Sequence, residues 1–326
     1  MTTYSWRLLR AGRFKLDGGS MFGLVPRVVW SRTIQPDDRG RIGVQTNCLL
    51  LERSGPAAPS DQPLPSPKLM LIETGSGDKM DPKSREIFEL ESRSILDALH
   101  EVDCDPQSID LVTATHLHFD HAGGLTRLAR PGEKPDWTGP GSAGKDHGVK
   151  LSFPNAPIIA QSREWSDALA NRSVMTRTYF RDHLEPIRER LILVDSPRPY
   201  APGAILDRDA APLAPVSLRE TPVAEGVGVF LVPGHTWGQQ AIKFTDTKGR
   251  IVVFVPDVMP TIHHVGAAYS LGYDVEPYTS MLSRRWFLEA AAEENWLLVL
   301  DHEPGNPCQR VTRNDKGWFD LVPDAP

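Results

Sequence analysis

Short apolar runs of strand length recur along the chain, and each is bounded by glycine, proline or aspartate. Runs of about four to eight apolar residues between turn-forming residues are typical of buried strands. The sequence therefore predicts a fold rich in strands. The predicted strand segments are CLLLE (48–52), LMLIETG (69–75), SIDLVTAT (108–115), APIIAQ (156–161), LILVD (191–195), VGVFLVPG (227–234), QAIKFTD (240–246), RIVVFVPD (250–257) and WLLVLDHEPG (296–305).

Three other segments carry apolar residues at helical spacing. Residues 84–102 are predicted to form one helix, residues 164–190 to be mainly helical, and Thr279–Glu294 to form an amphipathic helix. No Gly/Ser-rich linker divides the chain. We therefore expect residues 1–326 to form a single α/β domain of layered sheets and helices.

Glycine and proline dominate two segments between the predicted elements. Residues 54–68, SGPAAPSDQPLPSPK, predict a long hairpin-like connection. Residues 131–157 show no periodicity, and two interpretations are open: a surface excursion or a flap over a functional site. The flap is favoured because this segment begins shortly after the histidine-rich stretch Thr113–Gly124.

Composition and charge exclude several classes of protein. The net charge of −6 lacks the basic surplus of a nucleic-acid binder, so we expect no nucleic-acid partner. The three cysteines have no CxxC spacing, which disfavours a disulfide framework and a thiolate zinc site. No apolar stretch approaches the roughly 20 residues that span a bilayer, and the charged N-terminus lacks a signal-peptide core. These features predict a cytoplasmic protein without a membrane partner.

The stretch TATHLHFDHAGG, Thr113–Gly124, concentrates candidate metal ligands directly after a predicted strand. On a loop that leaves a strand, two imidazoles in a His-x-His pattern can converge on one divalent ion. The small residues that end the stretch, from Ala122 to Gly124, allow a close backbone turn into a helix. The candidate ligands are His116, His118, Asp120 and His121.

Three later residues occupy equivalent places at the ends of apolar strands. His235 lies in LVPGHTWGQQ, Asp257 in VVFVPDVMP and His302 in LLVLDHEPG. A bare carboxylate such as Asp257 would be costly at the mouth of an apolar strand without a cation. Strand ends of this kind commonly carry ligand sites in α/β folds. We expect these residues to complete the site.

Taken together, these motifs resemble the metallo-β-lactamase superfamily of metallohydrolases. The resemblance extends from NCLLLE and LIETGSG through THLHFDHAGG and GHTWG to the final histidine. It implies a four-layer αβ/βα sandwich with a dinuclear metal site at one edge. Carried over by position, one metal would be held by His116, His118 and His235, the second by Asp120, His121 and His302, and Asp257 would bridge both.

Within that superfamily the chain looks most like the lactonase and esterase-like branch, including N-acyl homoserine lactonases and organophosphate-hydrolysing relatives. DGGSMFGLVPRVVW, PTIHH and GYDVEPYTS carry this resemblance. Three features depart from it: Gly238-Gln239-Gln240 replaces Gly-His-Gln, Pro256 replaces the usual glycine, and Glu303 replaces the usual aspartate. None removes a ligand, so the departures leave the substrate more open than the chemistry.

The expected activity is metal-dependent hydrolysis of a lactone, ester or similar small molecule. The expected cofactors are two divalent transition-metal ions, Zn²⁺ first, with Mn, Fe, Co or Ni as alternatives. Two ions about 3.5–4 Å apart can share a hydroxide that attacks the substrate. Asp120 is the candidate metal ligand and proton shuttle. No G-x-S-x-G nucleophile elbow is present, which disfavours a serine hydrolase.

Residues near these motifs are candidates to contact the substrate. His264 is a candidate catalytic hydrogen-bond donor, and Tyr269 could reach the same pocket. An apolar wall for an acyl chain could come from four further residues, for which ordinary core packing is the alternative. These are Met21, Phe22, Phe119 and Trp237.

Other functions stay open on the same scaffold. A mononuclear-iron oxidoreductase resembling persulfide dioxygenases, or a phosphotriesterase-type hydrolase, are the alternatives. A flavodiiron protein is disfavoured because only a short segment follows His302. A non-catalytic binding protein would be expected to have lost ligands, and all of them are present here. The expected partner is a small-molecule substrate, and a homodimer is left open.

Overall fold

Each predicted strand segment contains a strand in the computed structural model, which describes residues 2–56, 64–175, 177–199, 219–266 and 268–326. In chain order the strands are β1 (Thr3–Asp17), β2 (Arg41–Ser54), β3 (Leu69–Ile72), β4 (Leu111–Thr113), β5 (Thr126–Leu128), β6 (Trp137–Pro140), β7 (Asp146–Leu151), β8 (Ile158–Gln161), β9 (Leu191–Val194), β10 (Thr221–Ala224), β11 (Val227–Leu231), β12 (Gln240–Thr245), β13 (Ile251–Val255), β14 (Leu297–Leu300), β15 (Cys308–Arg313) and β16 (Phe319–Pro323).

Short helices and one long helix connect these strands. Among the described residues, none of the helices combines the length and apolar character needed to cross a membrane. In chain order they are α1 (Gly18–Phe22), α2 (Arg27–Trp30), α3 (Pro82–Phe88), α4 (Ile95–His100), α5 (Phe119–Ala122), α6 (Ser162–Leu169), α7 (Arg181–Leu184) and α8 (Pro277–Glu293).

The strands form two large sheets and one small one. The six-stranded sheet has the order β1-β2-β3-β4-β8-β9, antiparallel from β1 to β3 and parallel from β3 to β9. The seven-stranded sheet runs from β10 to β16 in chain order, and only its β13–β14 pair is parallel. The small sheet has the order β5-β7-β6.

The two large sheets pack face to face and carry helices on their outer faces. The central core joins Leu49 and Ile72 of the first sheet to Phe254 of the second. Residues of α4 and α6 cover the outer face of the six-stranded sheet, and α8 covers that of the seven-stranded sheet. The expected four-layer αβ/βα sandwich is therefore confirmed.

This layering explains the continuous apolar runs of the sequence. In β13, Val252 and Phe254 face the opposite sheet, whereas Val253 and Val255 face α8. Successive side chains of a strand point to opposite faces, so a strand covered on both sides needs apolar residues at every position. The central strands read as unbroken apolar runs for this reason.

Strand direction brings the candidate ligands to one edge of the sandwich. Strands β11, β13 and β14 point the same way, because two antiparallel steps separate β11 from β13 and β14 pairs parallel to β13. The turn after β14 is also joined to the first sheet, where the backbone N–H of Asn47 donates to the carbonyl of Asp301 at 2.8 Å. The loops that follow these strands therefore meet the end of β4.

Several predicted elements differ in detail. Residues 84–102 contain two helices rather than one, because Glu89 takes a left-handed conformation and a capping box of Ser94 and Asp97 starts α4. Within 164–175 and 177–190, the described parts of the second predicted helical segment, helix is confined to α6, α7 and a 3₁₀ segment, Glu185–Arg190. Residues 57–63 of the proline-rich connection lie outside the described residues.

The segment 131–157, interpreted from the sequence as a surface excursion or a flap over a site, contains regular strands. It contains β6 and β7, which pair with each other and with β5 to form the small sheet. Asp182 of α7 fastens this sheet, since its carboxylate accepts from Ser142 Oγ at 2.6 Å and lies 3.0 Å from His147 Nε2. Turn residues interrupt these strands so often that no periodicity was visible.

Strands β1, β15 and β16, at the two chain ends, were not predicted. β1 pairs antiparallel with β2, with a register shift between Arg10 and Arg13, and β15 and β16 complete the second sheet. Charged residues alternate with apolar ones in these outer strands, as in TYSWRLLRAGRFKLD, so they lack the unbroken apolar runs of the central strands.

Candidate metal centre

The histidine-rich stretch forms a tight turn at the end of β4. His116 lies on the loop, His118 caps α5, and Asp120 and His121 lie within that single helical turn. The expected longer helix after the glycines is absent from this part of the structure; a 3₁₀ turn, Gly123–Leu125, leads directly into β5.

Close backbone contact explains the two glycines that end the stretch. A Cβ on Gly123 would lie 2.3 Å from the carbonyl oxygen of Ser76, and one on Gly124 would lie 2.0 Å from that of Thr74. Only glycine allows backbone segments to approach this closely. The turn carrying Asp120 and His121 is thereby pressed against the loop that follows β3.

Four buried residues form a first group of donor atoms. One side-chain atom from each lies within 4.8 Å of those of the others. His235 Nε2 is 3.0 Å from His118 Nδ1 and 3.1 Å from Asp257 Oδ2, and His116 Nε2 is 3.8 Å from the same oxygen. The members are His116, His118, His235 and Asp257.

A second group shares Asp257 with the first. His302 Nε2 is 3.2 Å from His121 Nε2 and 3.3 Å from Asp257 Oδ1. Asp120 lies beside them, with Oδ2 3.6 Å from His302 Nε2. Asp301, which sequence reasoning had not selected, also belongs here. The atoms that lie within 4.8 Å of one another come from His121, Asp257, Asp301 and His302.

The polar atoms of both groups fit divalent metal ions. In the described part of the chain, His116 Nε2, His118 Nε2, Asp257 Oδ1 and both carboxylate oxygens of Asp301 are buried without a hydrogen-bond partner. Unpaired buried polar atoms are costly, and a cation would satisfy several of them at once. Imidazole nitrogens and carboxylate oxygens are the usual ligands of transition metals.

Hydrogen bonds orient the imidazoles from behind. Asp274 Oδ1 lies 3.0 Å from His235 Nδ1, and the Gln45 carbonyl lies 2.9 Å from His302 Nδ1. Glu73 Oε2 lies 3.3 Å from His121 Nδ1. Contacts of this type fix the ring orientation and the tautomer of a metal-binding histidine.

A buried glutamate ties together the loops that carry the first group. Glu164 Oε1 accepts from the backbone N–H of Leu117 at 3.0 Å, and Oε2 accepts from Thr236 Oγ1 at 2.6 Å. Tyr179, whose hydroxyl donates to the same carboxylate, also places its ring against His118. Glu164 thus holds the loops after β4 and β11 next to each other.

Burial and neighbouring charges divide the histidines into two classes. Burial and adjacent imidazoles lower the pKa of His116 and His118 well below the ordinary value, so both are neutral. Burial also acts against protonation of His121, but Glu73 and Asp120 outweigh it and raise its pKa well above the ordinary value. Neutral imidazole is the form that donates a lone pair to a metal.

The pKa values of Asp257 and Asp301 are also shifted in opposite directions. Burial alone would raise the pKa of Asp257, but His235 and His302 lower it well below the usual range. Burial, and next the charge of Asp257, raise the pKa of Asp301 well above that range. Within the described residues, His121 acts in the opposite direction but does not outweigh these effects, so Asp301 is less compensated than Asp257.

His264 is fully buried rather than open to a substrate. Its Nε2 lies 2.8 Å from the carbonyl of Met21, its Nδ1 lies 2.8 Å from Thr261 Oγ1, and its ring stacks on Phe22. Both nitrogens are occupied, so these contacts give His264 the geometry of a structural residue. Met21 and Phe22 lie in the same buried cluster.

The other candidate pocket residues occupy more varied places. Phe119 is buried between Phe14 and Phe88. Trp237 is partly buried beneath the guanidinium of Arg163, 4.7 Å from its ring centroid. Tyr269 is partly buried and packs against Phe22.

Sequence reasoning missed the residues that position the ligands. Glu73 was visible within LIETGSG and Asp274 within GYDVEPYTS, but neither carried a signal that linked it to a particular histidine. Asp301 carried a usable signal, since it ends an apolar strand as Asp257 does.

Gln239, one of the departures from the family pattern, is buried. In the amide orientation that satisfies both its side-chain atoms, its oxygen accepts from the backbone N–H of Asp257.

Comparison with known proteins agrees with this geometry. A family model described as the metallo-beta-lactamase superfamily matches residues 67–302, the range from β3 to the last histidine of the site. No curated protein sequence matches the chain significantly.

Solved structures share the whole architecture at low sequence identity. A probable metal-dependent hydrolase from Staphylococcus aureus is 22% identical with a TM-score of 0.73, over 99% of this chain and 98% of that one. AidC, a dizinc quorum-quenching lactonase solved with the product N-hexanoyl-L-homoserine, is 18% identical with a TM-score of 0.64, over 100% and 98%. A quorum-quenching N-acyl homoserine lactone lactonase is 19% identical with a TM-score of 0.60, over 93% and 94%.

Proposed function

Because the chain belongs to the metallo-β-lactamase superfamily, we propose that it is a hydrolase dependent on two divalent transition-metal ions, which cleaves a lactone, ester or similar small molecule. The observation that carries the proposal is the pair of buried donor groups sharing Asp257, with donor atoms that have no partner within the described residues. An oxidoreductase with one iron would need only one such group.

The chain supplies different residues for each ion. The first would be held by His116, His118 and His235, and Asp257 would contribute to both. His121, His302 and Asp120 would hold the second. When bound, the ions supply Lewis acidity that activates water and polarises the bond to be cleaved.

Asp120 is positioned to handle protons. It lies beside the second group in the first turn of α5 and, at 8%, is slightly more exposed than Asp257 or Asp301. A carboxylate at the mouth of the site can take a proton from water and return it to the leaving alkoxide. We therefore assign Asp120 the role of proton carrier.

A lactone is the first substrate to test. Two solved structures with the same fold are described as quorum-quenching lactonases, one of them with an N-acyl homoserine product. Another is described as the hydrolase AbOPH of the β-lactamase superfamily, 17% identical with a TM-score of 0.64. At these low sequence identities the similarity shows a shared fold and not a shared substrate. The substrate class is therefore part of the proposal.

The test is a hydrolysis panel with protein stripped of metal and then reloaded with Zn²⁺ or Mn²⁺. Lactones of increasing acyl length, aryl esters, a phosphotriester and a β-lactam are compared at equal metal content. We expect lactone or ester cleavage that chelation abolishes and metal restores. Asp120→Asn should lower kcat by about 10²-fold or more, the range for a general acid–base group, at unchanged folding. Activity that persists without metal would contradict the proposal.

A further inference from the structure

Asp301 is a buried carboxylate for which the protein supplies no partner in the described part of the chain. Its side chain is 1% exposed, and neither of its oxygens accepts a hydrogen bond. No lysine or arginine of that part of the chain donates to it. An ionised carboxylate is costly in such a place unless a cation compensates it.

The backbone holds Asp301 firmly beside the second donor group. Its N–H donates to the carbonyl of Val255 at 3.2 Å, and its carbonyl accepts from the N–H of Asn47 at 2.8 Å. The Asn47 amide also donates to the carbonyls on either side of the turn, those of Leu300 and Glu303, at 2.9 Å each. The backbone position of Asp301 is therefore fixed by β2 and β13.

The other carboxylate on this turn is used differently. Glu303 is 4% exposed, but its oxygens accept from the backbone N–H groups of Ile262, at 3.1 Å, and Gly305, at 2.8 Å. Glu303 thus stabilises the turn, whereas an oxygen of Asp301 lies within 4.8 Å of donor atoms from His121, Asp257 and His302. The contrast points to a ligand role for Asp301 and not for Glu303.

We propose that Asp301 is an additional carboxylate donor to the metal ion of the second group, and that it shifts this site towards ions that prefer oxygen ligands, such as Mn²⁺. The proposal rests on the metal dependence proposed above. The first group offers three imidazoles and one carboxylate, whereas the second offers two imidazoles with Asp257, Asp301 and the nearby Asp120. Imidazole suits Zn²⁺, and carboxylates suit Mn²⁺. The two donor groups therefore differ in the metal ion that each prefers.

The test measures metal binding by the full chain without substrate. Metal-free protein is titrated with Zn²⁺ and Mn²⁺, separately and together, with metal content followed by elemental analysis and bound Mn²⁺ by electron paramagnetic resonance. Because Zn²⁺ binds most N/O sites more tightly than Mn²⁺, the mixture contains one equivalent of Zn²⁺ and an excess of Mn²⁺. We expect the wild type to hold one Zn²⁺ and one Mn²⁺ per chain from it. Asp301→Asn should weaken Mn²⁺ binding at least tenfold, about the lower limit for losing a group that supports a metal site, and leave the first Zn²⁺ unchanged.

Glu303→Gln is the matched control, because it alters a buried carboxylate of the same turn that is already satisfied by backbone N–H groups. It should weaken Mn²⁺ and Zn²⁺ equally or not at all. The same result for Asp301→Asn would overturn the proposal, since a merely structural role does not select between ions.

Folding of the variant gives a second measurement. Metal-free Asp301→Asn should melt no lower than the metal-free wild type, because the described residues make no hydrogen bond to either carboxyl oxygen that the substitution could break. Asp301→Ala should show the same loss of Mn²⁺ preference. A metal-free Asn variant that unfolds would show that Asp301 is structural and overturn the proposal. If the wild type binds two ions and hydrolyses substrate, and Asp301→Asn binds Zn²⁺ and Mn²⁺ as the wild type does, this inference alone is refuted. If the wild type binds no metal, the proposed function is refuted as well.

Discussion

Asp257 is the residue at which the two halves of the site meet. Its Oδ2 lies 3.1 Å from His235 Nε2, and its Oδ1 lies 3.3 Å from His302 Nε2. Oδ2 also lies 3.7 Å from His121 Nε2, so this one carboxylate faces donor atoms of both groups. At the scale of single residues, Asp257 therefore supplies the carboxylate that both donor groups share.

His264 provides a test that separates chemistry from structure. It is fully buried, and both ring nitrogens are hydrogen-bonded to the protein. We expect His264→Gln to cost about 1–3 kcal/mol of stability, the usual range for breaking a buried hydrogen bond. Metal content and kcat of the folded protein should stay near the wild-type values. Denaturant unfolding and kinetics at matched metal content would measure both.

The same residue should give acid sensitivity. Burial lowers the pKa of His264 from 6.5 to about 3, so the folded state keeps it neutral. Its contribution to stability is present above pH 6.5 and is lost as the pH falls towards 3, because the unfolded chain takes up a proton that the folded chain refuses. In His264→Gln this proton uptake is absent. The slope of unfolding free energy against pH, between pH 6.5 and 3, should therefore be smaller by about 1.4 kcal/mol per pH unit. A His264→Gln profile parallel to that of the wild type, or a large loss of kcat, would contradict the structural assignment.

The candidate ligands that lie together here could be predicted from the sequence, but the groups that contact them from behind could not. His116, His235 and Asp257 each follow an apolar strand, and that combination is visible in the chain itself. Glu73 and Asp274 act on histidines that lie 48 and 39 residues away, at 3.3 and 3.0 Å. Such pairings depend on how loops pack, which no local pattern records. His264 attracted attention as a histidine near a ligand, yet its environment is set by Met21 from the opposite end of the chain.

At the scale of elements, the turn of α5 depends on how closely it approaches the loop after β3. Thr74 Oγ1 donates to the carbonyl of His121 at 2.7 Å, and the Gly124 N–H donates to the carbonyl of Gly75 at 2.9 Å. These bonds hold Asp120 and His121 in place from the backbone side. The sequence predicted the close turn correctly from its small residues, but not that the turn would lead into a strand.

Gly124→Ala should disrupt this contact. A Cβ at this position would lie 2.0 Å from the carbonyl oxygen of Thr74, so the α5 turn must move. Forcing extra volume into a packed site costs about 1–3 kcal/mol, occasionally more. We expect lower stability together with weaker binding of the second metal, measured by thermal melting and metal titration.

Gly43→Ala is the matched control for that variant. Gly43 lies in β2, and a Cβ there would meet no atom within 4 Å. We expect metal binding and stability close to those of the wild type. Equal behaviour of the two variants would show that the α5 contact has no special role in metal binding.

At the scale of the whole molecule, the candidate metal centre joins the two sheets. His116, His118 and His121 follow β4 of the six-stranded sheet, whereas His235, Asp257 and His302 follow strands of the seven-stranded sheet. The layering that places them there follows from apolar patterning, and the sequence predicts it well. The small sheet and the outer strands could not be predicted, because turns and alternating charges obscure their periodicity.

Metal binding should therefore stabilise the entire fold rather than one loop. A ligand that binds only the folded state adds about 2.7 kcal/mol at a concentration 100 times its dissociation constant. At roughly 2–4 °C per kcal/mol for a large domain, each ion should raise Tm by about 5–10 °C. Calorimetry of the chain loaded with Zn²⁺ or Mn²⁺, against the same protein with chelator, measures this rise. Asp257→Asn should lose most of it, because the substitution removes the negative charge that both donor groups share and replaces one carboxylate oxygen by an amide nitrogen. Unchanged Tm in the loaded wild type, or a metal-induced rise that Asp257→Asn retains in full, would show that the two sheets are not joined through this centre.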